Sequence, residues 1–142
     1  MSNNQPVSFR PARTYAPKWL KGYSGDDSTP PVPAGIPHGT EIVMASVQSP
    51  RIGHAVIETL YYDGDASGAG YLHFRVTANG VTLPYDWADS YVAVGQSSLP
   101  AVIAEEVPAG ALIEIRCKNE HPSDDTLKAY CDGTVAFYDG AI

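Results

Sequence analysis

The chain has 142 residues and a formal net charge of −7, with 9 basic against 16 acidic side chains. That length fits one domain, or one domain plus an arm, and the acidic balance repels phosphate backbones, so nucleic acid is not expected as a partner. No apolar run approaches the roughly 20 residues of a membrane span, and the opening MSNNQPVSFRPARTYAPKWL lacks the apolar stretch of a secretory signal, so neither a membrane nor an export route is expected.

Charge and proline are unevenly spread. Residues 1–25 carry Arg10, Arg13, Lys18 and Lys21 and no acid, whereas residues 38–142 hold 5 basic and 14 acidic side chains. Seven of the 12 prolines fall in residues 1–37 (Pro6, Pro11, Pro17, Pro30, Pro31, Pro33 and Pro37). Proline removes a backbone donor and disfavours helix at the preceding residue. Residues 1–37 are therefore expected to form an extended arm ahead of a β domain over residues 38–142. Pro17 to Lys21 has the makings of one helical turn, closed by Gly22. The arm also carries aromatics, which disordered linkers lack, so it is expected to dock on its own body or on a neighbouring subunit. Its interface anchors are Phe9, Arg10, Arg13, Tyr15, Lys18, Trp19, Lys21 and Tyr23, aromatic and basic residues of the kind that fix protein interfaces.

The body reads as antiparallel β. Gly and Pro together make 25 residues (13 and 12), which punctuates the chain into short strands rather than a helical bundle. Glu41–Gln48 and His54–Tyr62 are the first two runs, followed by a glycine-rich loop over 63–70. Tyr71–Thr77 alternates, with Leu72, Phe74 and Val76 on one apolar face. Asn79-Gly80 suits a type I′ hairpin turn into Val81–Leu83. Ser90–Val94, Leu99–Glu105, Ala111–Lys118 and Leu127–Phe137 complete about eight strands. The fold class is all-β, an antiparallel β-sandwich of jelly-roll-like strand count.

Cys117 and Cys131 flank the turn-rich NEHPSDD. A hairpin centred on Asp124 sets them opposite each other, both pointing into the core. Two outcomes stay open: reduced thiols packed as small apolar groups, or a disulfide worth about 3 kcal/mol by chain entropy.

Other constellations carry less chemistry. Asp63, Asp65 and Ser67 copy the first half of a calcium loop, but its twelfth position is Phe74 rather than a carboxylate, so no metal is expected. His54 and His73 lie on neighbouring predicted strands. Tyr85, Trp87 and Tyr91 in YDWADSY form a candidate ligand or interface loop. The acids Asp86, Asp89, Glu105 and Glu106 could supply a hydrolase pair, though Glu105-Glu106 fits better as protection of a strand edge. No G-x-S-x-G elbow is present. We expect no enzyme and no cofactor.

The stretches VPAGALIEIRCKN (107–119) and LKAYCDGTVAFYDG (127–140) resemble the closing strands of small jelly-roll-like domains in tailed-phage virion proteins. A Pro-rich arm before an acidic β domain is similar in plan to capsid decoration (cement) proteins. The resemblance implies a structural protein of the outer capsid surface, assembled in the host cytoplasm. Its implied partners are the major capsid protein or other virion proteins, with itself as a homo-oligomer, a trimer being favoured. Neck, tail or head-fibre proteins share this plan. A carbohydrate- or host-receptor-binding module is the reading from another class.

Overall fold

Alternation of apolar and polar residues sends one face of each long strand inward, and two such faces make the core. The computed structural model describes residues 18–27, 31–51, 53–64, 70–83, 95–96 and 99–138. Ten strands occur there: β1 (Lys18–Trp19), β2 (Gly22–Tyr23), β3 (Glu41–Gln48), β4 (His54–Gly64), β5 (Leu72–Ala78), β6 (Val81–Thr82), β7 (Gly95–Gln96), β8 (Leu99–Pro108), β9 (Leu112–Asn119) and β10 (Ala129–Tyr138). Four of them are only two residues long. No helix is found among the described residues.

Every pairing is antiparallel. One sheet runs β1-β10-β4-β8-β7, with β2 also on β10; the other runs β3-β9-β5-β6. Their inner faces meet in one core built from Ile57, Leu60, Tyr62, Leu72, Phe74, Val76, Ile113, Ile115, Val135 and their neighbours. Tyr62 and Phe74 stack across it with ring centroids 4.9 Å apart. Each large side chain so buried contributes about 1.5–3 kcal/mol relative to exposure, so facing sheets hold the fold. The antiparallel β-sandwich is as expected.

Bulges set the registers. In β4 the inward residues change parity, from Ala55 and Ile57 to Leu60 and Tyr62. Glu58 is the extra residue: Ile57 and Thr59 pair with Val135 and Thr134 on one side, and with Glu105 and Val102 on the other. Opposite it on β8, Ala104 adopts a left-handed φ of 52°. In β3, Met44 is extra, between Val43 opposite Arg116 and Ala45 opposite Ile115. Asn79 and Gly80, at φ 50° and 81°, make the expected hairpin turn.

Three expectations fail. Cys117 and Cys131 are not opposite each other in a hairpin, because β9 pairs with β3 and β5 while β10 pairs with β4. The connection crosses between sheets because it is held elsewhere. The buried Asn119 amide donates to the carbonyls of Ile36 (2.8 Å) and Asp124 (2.7 Å). The Ile36 amide donates to Leu127 O (2.9 Å). No helical turn forms where Lys18–Trp19 is strand: Lys18 and Trp19 pair with Val135 and Thr134, because an open β10 edge offers a hydrogen bond for each exposed backbone group. His54 and His73 fall on different sheets.

The described residues of the expected arm, 18–27 and 31–37, thus pack on its own body. Leu20 and Ile36 are fully buried and Val32 nearly so. The Leu20 amide donates to Gly133 O (2.9 Å), and the Ser24 amide to Ala129 O (3.0 Å).

Candidate functional site

Two strands carry the same local pattern, Tyr-x-Asp: Tyr61 to Asp63 on β4, and Tyr130 to Asp132 on β10. Spacing of two puts both members on one face of a strand. The antiparallel register sets Asp63 opposite Tyr130 and Tyr61 opposite Asp132. The result is a checkerboard of two phenols and two carboxylates on the outer face of the six-stranded sheet. The Tyr61 hydroxyl donates to Asp63 Oδ2 at 2.9 Å, and the Tyr130 hydroxyl to Asp132 Oδ2 at 3.3 Å. The two rings meet edge to face at 5.7 Å. Thr59 and Thr134 continue the row with a 2.8 Å hydroxyl contact. Tyr23 pairs with Tyr130 from β2 and is 49% exposed.

Electrostatics follow from the same contacts. Burial, aided by the neighbouring Asp63 carboxylate, pushes the Tyr61 phenol up to about 12. Burial and then Asp132 raise Tyr130 as well. Both phenols therefore stay protonated donors at neutral pH. Asp132 is only 7% exposed, and its Oδ1 is buried without a hydrogen-bond partner among the described residues. Buried carboxylate oxygens are normally satisfied. Beside this row, Asp63, Gly64, Lys128, Ala129 and Tyr130 line a cleft of about 200 Å3.

The outer face of the other sheet is a charge ladder. Arg75 on β5 donates from Nε (2.8 Å) and Nη2 (2.6 Å) to the two oxygens of Glu41 on β3. Arg116 on β9 stands between them, 3.6 Å from Glu41 and 2.7 Å from Glu114. The Arg75 hydrogen bonds hold the Glu41 carboxyl below its ordinary range.

Of the residues singled out from sequence, Phe9, Arg10, Arg13, Tyr15, Asp65, Ser67, Tyr85, Asp86, Trp87, Asp89 and Tyr91, with the expected strand Ser90–Val94, lie outside the described residues. Lys18 and Trp19 form β1, Lys21 is exposed, and Tyr23 joins the checkerboard. The Asp63 oxygens accept from the Tyr61 hydroxyl and from the Gly64 amide (2.8 Å). Phe74, at the would-be twelfth position of a calcium loop, is in the core. Among the described residues no three His, Cys, Asp or Glu side chains group to hold a metal.

Cys117 and Cys131 do point into the core, but from opposite sheets, and both are free thiols. Burial drives both upward in pKa, Cys131 to about 12. His54 stacks on Tyr138 at 5.1 Å, and His73 Nδ1 lies 3.8 Å from Glu120. Glu105 and Glu106 lie on β8, which beyond its pairing with β7 at Leu99 and Pro100 has no second strand partner among the described residues.

Sequence reasoning overlooked Asp132, Tyr61 and Tyr130. The repeated Tyr-x-Asp was the available signal. No protein-family model matches the chain, and neither a curated protein nor a solved structure is significantly similar to it.

Proposed function

We propose that the chain is a structural virion protein that attaches to a capsid shell as a decoration protein, through the basic N-terminal residues that precede β1. The observation that carries this reading is the pinning of residues 18–27 to the body. β1 and β2 add to the β10 edge and Leu20 enters the core. Residues 1–17, with Arg10, Arg13, Phe9 and Tyr15 and no acid, then start from an anchored edge strand of an acidic body.

An anchored base limits the ordering entropy of an attached segment, and several modest contacts add through linkage. Basic and aromatic side chains suit an acidic partner surface with pockets. A sandwich whose long strands face each other across one core is a stiff platform for such a segment, and this reading needs no chemistry from it.

The test is binding of the purified full chain to assembled shells that lack it, followed by sedimentation. Saturable co-sedimentation with a fixed number of copies per shell is expected. Recovery of all the protein at the top of the gradient refutes the reading.

A further inference from the structure

We infer that the loop joining β9 to β10 is a pH-sensitive catch on the segment that leads into β3, and that protonation of His121 opens it. The inference draws only on residues 35–38 and on the loop with its neighbours Asn119, Tyr71 and His73, and it stands apart from the virion reading.

The partners of the ring fix its protonation state. His121 Nδ1 lies 3.0 Å from the Ser123 amide nitrogen and 2.8 Å from that of Asp124. A backbone N–H can only donate, so Nδ1 presents its lone pair and the ring is neutral, with its hydrogen on Nε2. Pro122 has no amide hydrogen, so the donors of this turn are those two. Imidazolium has two donors and no acceptor. Turning the ring over does not help, because that brings a carbon to the place of Nδ1. Protonation therefore sets an N–H against both amides. The ring is half-buried, so the proton can reach it from solvent.

The same turn grips the segment ahead of β3. The Asn119 side chain accepts from the His121 amide (2.8 Å) and donates to Asp124 O (2.7 Å) and to Ile36 O (2.8 Å). Asp125 Oδ1 accepts from the His38 amide (2.8 Å). A β-carbon on Gly35 would lie 2.4 Å from Asp125 O, so the two backbones touch. Loss of the bonds to Nδ1 frees Asp124 to move, and the Asn119 amide that also holds Ile36 loses its second acceptor.

The groups around the ring set the direction in which acid acts. Tyr71, leading into β5, meets the ring edge to face at 4.4 Å and keeps it seated. Within the loop, Asp124 attracts a charged His121, while its own carboxylate holds the Thr126 amide (2.8 Å) and hydroxyl (2.6 Å). Glu120 lies 3.8 Å from His73 on β5. Ahead of β3, His38 Nδ1 is 2.5 Å from Asp125. Protonation of His38 strengthens that pairing, so it works against His121. The Asp125 end therefore holds in acid while residues 121–124 open. The contribution of the His121 lone pair is complete above the titration of the ring and fades as pH falls through it.

The test follows the full-length protein by NMR from pH 8 to pH 5, the span in which histidine changes charge. At pH 8 the His121 ring should carry hydrogen on Nε2 alone. Exchange of the Ser123 and Asp124 amides, corrected for its intrinsic pH dependence, should quicken about tenfold with the midpoint of the ring, as loss of their acceptor requires. Hydrogen on Nδ1 at pH 8, or amide protection that does not change as the ring titrates, overturns the proposal without any variant. His121→Asn supplies the second measurement, because its Oδ1 stands where Nδ1 does, accepts the same amides and does not titrate. Urea unfolding of both proteins over the same range isolates the ring, since every other group is shared. Between pH 8 and pH 5 the folding equilibrium constant of wild type should fall about tenfold relative to that of His121→Asn. A ratio that stays constant over this range also overturns the proposal.

Discussion

Gly22 on β2 sits against the Met44 carbonyl on β3 so closely that a β-carbon there would overlap its oxygen and lie 2.7 Å from its carbon. Met44 is the bulged residue of β3. β2 itself belongs to the opposite sheet through Cys131. The pair is where the N-terminal segment bridges the two layers of the sandwich.

Gly22→Ala is therefore expected to be disruptive. Backbone lies on the far side of the clash, so no flexible side chain can yield, and overpacking of this kind costs about 3 kcal/mol. Urea unfolding should show a midpoint lowered with little change in slope. A midpoint equal to wild type would mean that β2 does not bridge the sheets.

Ala104 holds the left-handed φ of 52° opposite the Glu58 bulge. An alanine there stores strain that glycine does not. Ala104→Gly should stabilise the protein by about 0.5–1 kcal/mol, because the strain relieved exceeds the added unfolded-state entropy. Equilibrium denaturation decides, and a destabilised variant counts against the bulge geometry.

Acid should loosen the four-stranded sheet through Glu41. Arg75 holds this carboxyl below its ordinary value of 4.5. A depressed carboxyl binds fewer protons folded than unfolded, so its contribution is complete above 4.5 and fades as pH falls through its folded value. Glu41→Gln should be less stable than wild type at pH 7, with the gap closing below pH 4.5. A gap that is constant from pH 7 to pH 3 contradicts the ladder.

The two core thiols should be silent. Burial raises both, Cys131 to about 12, and the thiolate is the reactive form. A thiol reagent at pH 8 should leave native protein unlabelled and modify two cysteines once it is unfolded. Rapid labelling of folded protein would place a thiol at the surface.

What the sequence disclosed was local. Leu72, Phe74 and Val76 alternate without interruption, and all three are buried; Asn79-Gly80 carries its turn in its own backbone preference. β4 was harder, since the bulge at Glu58 shifts the inward set from Ala55 and Ile57 to Leu60 and Tyr62. The symmetric placement of Cys117 and Cys131 about Asp124 suits a hairpin and a crossover equally well. What chose the crossover was the long-range grip of Asn119 on Ile36 O, 83 residues away. The checkerboard needed the β4–β10 register to bring together two Tyr-x-Asp pairs that lie far apart in the chain. Leu20, flanked by Trp19 and Lys21 in a basic, Pro-rich segment, gave no sign that it would join the core.

Attachment through the leader is tested most directly by removing residues 1–17 and no more, since β1, Leu20 and β2 belong to the body. Intact and shortened protein are mixed with assembled shells and sedimented side by side. The intact chain should travel with the shell, and the shortened chain, folded by its melting transition, should stay at the top. If both run as the same small free species, or both travel with the shell, the leader is not the anchor.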